Sequence, residues 1–218
     1  MKGLFVKDIE LMKQQKQFFI LVVVMEVILN LAGSVSVSFA AGYFTIVTAI
    51  FAITTISYDE FDNGNAFLFT LPITRKGYVK EKYLLAFLLA VVSLILGNLI
   101  ACVAALFKKE TLTTDIIWIS LAILCTVTVV QAVMLPFQLK YGAEKARIAI
   151  IITVGILFLI GAVIAKIFKT VKLDTTSILV KLSELHIWVL IAAIAFIAAL
   201  LMLLSMQIST KIVEKKEF

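Results

Sequence analysis

Apolar runs of membrane-spanning length alternate with short polar segments along this chain. After a mixed opening over residues 1–17, an apolar stretch covers residues 18–58 and is broken by one charge, Glu26. A helix rises about 1.5 Å per residue and a bilayer's hydrocarbon core is about 30 Å thick, so this stretch is long enough to cross twice. Gly33, Ser34, Ser36, Ser38 and Gly42 supply the small residues of a tight turn. The pattern predicts a helical hairpin over 18–35 and 41–57. A polar stretch follows over 59–82, then apolar runs over 83–107, 116–139, 148–167 and 186–208. Each is near the roughly 20 residues that a spanning helix needs. The expected architecture is all-α, a single domain over 1–218 built as an integral membrane bundle of six transmembrane helices.

Composition agrees. Of the 218 residues, 62% are hydrophobic and 16% charged, with a mean hydropathy of +1.11. A soluble chain uses about 45–50% apolar and about 25% charged residues, so both departures point to lipid as the solvent. The net charge of +6 does not indicate nucleic acid, because the positive residues sit in short segments between apolar runs, where they act as topology signals and headgroup contacts. Fourteen of the 20 Lys and Arg fall in the segments 1–17, 59–82, 140–147 and 209–218, and six in the alternate segments. The positive-inside rule then places both termini in the cytoplasm. A cleaved secretory leader is argued against by Asp8, Glu10 and Glu26, since such leaders avoid acidic residues. Cys102 and Cys125 lie inside apolar runs and read as small packing residues.

Two polar segments carry more than a connector needs. In the first, Leu4, Phe5, Leu11 and Met12 are spaced by whole turns, with Asp8 breaking the stripe, which suggests a helix over 1–17 lying in the cytoplasmic interface. In the second, the loop over 59–82 opens acidic with Asp59, Glu60 and Asp62, turns apolar with Phe67, Leu68 and Leu71, and ends basic with Arg75, Lys76, Lys80 and Lys82. Pro72 lacks an amide hydrogen and disfavours helix at Leu71, so a short helix should end there. An apolar patch outside the bilayer must cover something, and acid, apolar, basic in that order is the pattern of a docking element.

Inside the crossings, Glu26 is costly in hydrocarbon and must face the bundle, water or a partner charge. Asn30 lies one turn further and shares its network, which leaves open a polar pathway or a buried hydrogen-bonded pair. Asn98 and Gln131 are the expected bonds between helices, and Lys166 should snorkel to the headgroups. His186, beside Trp188, is an interfacial anchor. With one histidine in the chain, neither a zinc-protease site nor a Ser-His-Asp arrangement can be assembled, and no catalytic or metal-binding residues are proposed. The outer segment suggests a short helix starting near Asp174.

The run Tyr58-Asp59-Glu60-Phe61-Asp62-Asn63, then Leu71-Pro72-Ile73-Thr74-Arg75-Lys76-Gly77-Tyr78-Val79 and Lys82-Tyr83, resembles membrane subunits of type-2 ABC transporters of the small bacterial subfamily. A second resemblance lies at Leu135-Pro136-Phe137 and Lys140-Tyr141-Gly142, with Glu144-Lys145-Ala146-Arg147 behind it. The resemblance implies an exporter permease in a bacterial cell membrane, with no ATPase activity of its own and a peptide, toxin, antibiotic or lipid as cargo. It implies a dimer with a second copy or a paralogue, and a separate nucleotide-binding ATPase subunit that holds ATP and Mg. It also implies a coupling helix over 59–71, and a second cytoplasmic loop over 140–147 near the same face. The chain has no Gly-x-x-x-x-Gly-Lys-[Ser/Thr] phosphate loop, in keeping with ATP chemistry on a partner. The alternative is a membrane-embedded vitamin-binding component of an energy-coupling-factor importer, which presents small-residue helix faces to its partner instead of a coupling helix.

Overall fold

With no water in the bilayer core, each backbone N–H and C=O must be satisfied within the segment, so the apolar runs fold as helices. The computed structural model describes residues 2–32, 36–61, 64–108, 115–170 and 187–216; between 143 and 170 this covers the backbone and the Lys166 side chain. The helices are α1 (Lys2–Gln14), α2 (Lys16–Ala32), α3 (Val37–Glu60), α4 (Gly64–Leu68), α5 (Arg75–Lys108), α6 (Asp115–Thr170) and α7 (Ile187–Lys215). Among the described residues there is no strand.

Four helical stretches are long and apolar enough to cross a membrane: Ser38–Glu60, Arg75–Lys108, Ile116–Gly142 and Ile191–Lys215. A fifth is reached if α1 and α2, bent by 66° about Gln15, count as one span. Six is therefore not the number found among the described residues. The expected crossing over 148–167 falls in the second half of α6, where the backbone is helical but the side chains lie outside the described residues. The outer segment near Asp174 and His186 also lies outside them.

Helix α3 starts earlier than the small residues before it suggested. Ser36 caps α3, its hydroxyl accepting from the Phe39 amide at 3.3 Å, so α3 begins at Val37 and not near residue 41. Capping by a serine oxygen satisfies one of the free amides at a helix start.

Helix α3 packs against α2, α5 and α6, while α7 packs against α6 and α5. The close approaches use small residues, as membrane helix contacts do. Ala40, Ala41, Ala49 and Ala52 of α3 and Ala86, Ala90 and Ala101 of α5 are buried. At Gly97 an added Cβ would come within 3.4 Å of the Ala41 Cα. Amides and hydroxyls then bond between helices. Gln131 donates to the Ala86 carbonyl at 2.9 Å, and Gln138 donates to the Ser57 hydroxyl at 3.0 Å. The Ser120 hydroxyl donates to the Asn98 side chain at 3.1 Å. Tyr83 meets the Ser205 and Ser209 hydroxyls of α7 at 2.6 and 2.8 Å. Asn98 and Gln131 thus serve as helix-to-helix bonds. At the opposite end of the bundle from the termini, Trp118 and Trp188 meet edge to face with ring centroids 4.1 Å apart.

The outward faces of α2 and α7 are apolar: Ile20, Leu21, Val24 and Ile28 on one, Ile194, Phe196, Leu203 and Leu204 on the other are exposed. Such faces suit lipid. A cleft of about 310 Å³ lies between α2 and the far half of α5, lined by Val27, Leu31, Leu99, Ile100, Val103, Ala104 and Phe107.

Candidate functional site: the polar end of the bundle

Five helix ends meet where the chain's two termini lie. Helix α5 is 34 residues long, about 50 Å at 1.5 Å per residue, so it exceeds the hydrocarbon thickness and leaves its first turns for other contacts. Those turns hold Tyr78, Glu81 and Lys82. Helix α1 folds back beside them through the bend at Gln15, whose amide is shared between the Leu11 and Met12 carbonyls at 3.1 Å each. Leu4 of α1 enters the core with Ile56, Tyr78, Val79, Leu135 and Leu139.

At the centre is Lys82, 0% exposed. Its ammonium lies 2.5 Å from Asp8 Oδ2, 2.8 Å from Asp59 Oδ2 and 3.1 Å from the Thr55 hydroxyl. An ammonium has three donors, and these three acceptors come from α1, α3 and α3 again. Lys7 pairs with Asp59 Oδ1 and lies 3.2 Å from Asp8 Oδ1. The Tyr78 hydroxyl donates to Asp59 Oδ2 at 3.1 Å. Burying a lone charge costs several kcal/mol, and only close pairing with further hydrogen bonds offsets it. The cluster supplies both, and so joins α1, the end of α3 and the start of α5.

A second set of ties reaches the C-terminus. The Lys216 ammonium lies 3.0 Å from Glu60 Oε1 and donates to the Leu139 carbonyl at 3.2 Å. The Arg75 guanidinium donates to the carbonyls of Val213 and Glu214 at 3.3 and 2.6 Å, and Lys76 lies 3.5 Å from Glu214 Oε1. The last carbonyls of a helix lack intrahelical partners and carry its negative dipole end, so a cation there is favourable. Arg75 also stands over the Phe69 ring at 5.8 Å.

Between the two anchored ends, α4 turns its residues two ways. Leu68 and Asn65 are buried, while Phe67 is 70% exposed and Phe61, just before α4, is 72% exposed. Leu71 and Pro72 continue the exposed surface. The Asp59 carbonyl lies 2.8 Å from where a Cβ on Gly64 would stand, so a side chain there would force the turn open.

The chain matches the ABC-2 family transporter protein model over residues 3–214. It belongs to that family. Comparison with curated proteins and with solved structures gives no match. The match covers nearly the whole chain, so this is a permease subunit of an ABC transporter, a multi-pass transport component of a membrane and not itself catalytic. Permeases of this family work with an ATPase partner.

The permease's structure divides the residues singled out in the polar loop over 59–82. Phe61, Phe67, Leu71 and Pro72 lie outward. Asp59 does not, because its carboxylate is claimed by Lys7, Lys82 and Tyr78. Glu60 is turned toward Lys216, Leu68 lies in the core, and Arg75 is occupied at the α7 terminus. Of Asp59, Glu60, Phe61, Phe67, Leu68, Leu71, Pro72 and Arg75, the exposed ones are the apolar Phe61, Phe67, Leu71 and Pro72. Asp62 lies outside the described residues.

Residues 140–147 fall within α6. The backbone stays helical on both sides of Gly142, where one residue takes φ 73°, ψ 177° and breaks α6. Lys140 and Tyr141 still belong to the first half of α6, with the Lys140 ammonium 4.9 Å from the centre of the Tyr141 ring. The side chains of Glu144 and Arg147 lie outside the described residues.

On α2, Glu26 and Asn30 are brought together, both buried. The Asn30 amide donates to Glu26 Oε1 at 2.9 Å and to the Glu26 carbonyl at 3.0 Å. Nor does Asp8 interrupt the stripe on α1: it is 0% exposed and lies on the buried face with Leu4, while Val6 and Ile9 point away. Sequence reasoning also missed Lys7, Lys82, Tyr78, Glu81 and Lys216. The one available signal was an acidic residue set at whole-turn spacing from Leu4 and Met12.

Proposed function

We propose that this permease is the membrane subunit of an ATP-driven exporter in a bacterial cell membrane, receiving its energy from a separate nucleotide-binding subunit that docks on Phe61, Phe67, Leu71 and Pro72. The supporting observation is the division of α4 and its flanks. Large apolar side chains stand outward beyond the spanning part of the bundle, on a segment held at one end by the Asp59 ion pairs and at the other by the Arg75 hydrogen bonds to α7. An exposed aromatic pair on a fixed support is the kind of anchor that dominates protein interfaces. The ionic cluster makes α1, the end of α3 and the start of α5 one block, so force on α4 would tilt α3 and α5 together.

In this reading the chain crosses six times, with the second half of α6 as a crossing, and both termini lie in the cytoplasm, as the Lys and Arg distribution favours. It works as a dimer with a second copy or a paralogue, in contact with lipid. ATP and Mg are held by the partner. Glu26 and Asn30 are the polar groups available to a pathway, and the cargo is a peptide, an antibiotic or a lipid-like molecule. The vitamin-capturing alternative has no support from the family match.

The test is co-purification of both subunits, with ATPase stimulation as the second readout. Phe67→Ala should weaken association about thirty-fold, since truncating a central interface aromatic costs about 2 kcal/mol, and adding Phe61→Ala should weaken it further. Thermal stability of the isolated permease should be unchanged, because both rings lie outside the core. Unchanged association together with unchanged stimulation would rule the docking surface out.

A further inference from the structure

We propose that the polar end of the bundle is a proton-binding site, with the proton carried on the Glu81 carboxyl group, and that this proton keeps α1 docked on α5. Glu81 is 0% exposed. Written as a carboxylate, it has no hydrogen-bond donor at either oxygen. A carboxylate is an acceptor only, so a buried one with no donor is far costlier than the neutral acid.

Charge and distance say which group carries it. Asp8 has the Lys82 ammonium at 2.5 Å and the Lys7 ammonium at 3.2 Å. Asp59 has both ammoniums and the Tyr78 hydroxyl. The ammonium recorded beside Glu81 is that of Lys82 at 3.9 Å, beyond hydrogen-bond length. Lys7 and Lys82 balance Asp8 and Asp59. An ionised Glu81 would add an uncompensated negative charge to a buried site, and a neutral Glu81 closes the balance. The groups that face it are Lys7 and Asp8 from α1, Asp59 from α3, and Tyr78 and Lys82 from its own helix; Glu60, nearby on α3, is paired with Lys216.

The direction follows. At acid pH the proton is held and α1 is docked. As pH rises through the titration, the new charge repels Asp8 and the α1 contact weakens, by about tenfold in its docking equilibrium per pH unit for one proton. This proposal does not depend on the exporter reading.

The experiment is infrared difference spectroscopy on the full chain in lipid, comparing wild type with Glu81→Gln, alongside thermal unfolding across pH. At mildly acid pH the wild type should show a protonated carboxylic acid carbonyl band that Glu81→Gln lacks. The band should disappear on alkalinisation, with stability falling over the same interval in the wild type but not in Glu81→Gln. A band retained in Glu81→Gln, or the same loss of stability in both proteins, overturns the proposal. Should Glu81→Gln fail to fold, carboxyl-labelled glutamate in a Glu26→Gln chain decides. A labelled acid band at mildly acid pH supports the proton on Glu81, and its absence overturns it.

Discussion

Lys82→Met is expected to cost about 3–5 kcal/mol, the penalty for leaving buried partner charges uncompensated. Methionine keeps the length and bulk of the stem, so the loss falls on the electrostatics. Asp8 Oδ2 and Asp59 Oδ2 lose the ammonium at 2.5 and 2.8 Å, and the Thr55 hydroxyl loses its donor at 3.1 Å. Folded proteins are stable by only about 5–15 kcal/mol, so the variant should unfold far earlier in a detergent melt or fail to accumulate. Adding Asp8→Asn should return part of the loss, because removing a whole buried pair is much cheaper than removing one partner. The control is Lys13→Met. Lys13 pairs with Glu10 at 3.0 Å on an exposed face, and such pairs contribute about 0–1 kcal/mol. Equal effects at Lys82 and Lys13 would show that the central cluster is not what holds α1 to the bundle.

Gly142→Ala is the second large effect, expected at about 1–3 kcal/mol from backbone strain alone. The pair φ 73°, ψ 177° is a conformation open to glycine and strained for a residue with a side chain. The added Cβ would also stand 3.2 Å from Glu60 Oε2, pressing on the carboxylate that holds Lys216 and, through it, the Leu139 carbonyl. Loss of the α6 break should therefore loosen the C-terminal tie as well. Gly3→Ala is the comparison: it lies in α1 with nothing within 4 Å of the new Cβ, so no cost is expected. Melting midpoints of the two variants side by side check this, and a Gly142→Ala protein as stable as Gly3→Ala would refute it.

Several features could be read from residue order alone. Apolar run length governs helix length in lipid, so the hairpin and the runs behind α5, the first half of α6 and α7 were visible. The interhelical roles of Asn98 and Gln131 followed from the cost of an unbonded amide among hydrocarbon. Pro72 marked a break in the chain, but the short helix before it ends at Leu68 and not at Leu71. The same reasoning failed wherever a polar residue's direction mattered. Asp59 and Phe61 are two residues apart, yet one is an ion-pair partner inside the bundle and the other is exposed. Local pattern cannot separate them, because the ammonium that turns Asp59 inward sits on α5.

The sequence by itself determined that this chain lives in a membrane as helices, because hydrophobicity and length are local properties that lipid reads segment by segment. It also determined the family, whose match runs along residues 3–214. Only the tertiary structure decided which charges are buried. Asp8 and Lys82 are 74 positions apart, Glu60 and Lys216 are 156 apart, and a charge becomes tolerable inside a bundle only when its partner arrives from another helix. That arrival is a property of packing. It converts the basic and acidic flanks of separate helices into one fixed block beneath the span, with the apolar face of α4 left outward.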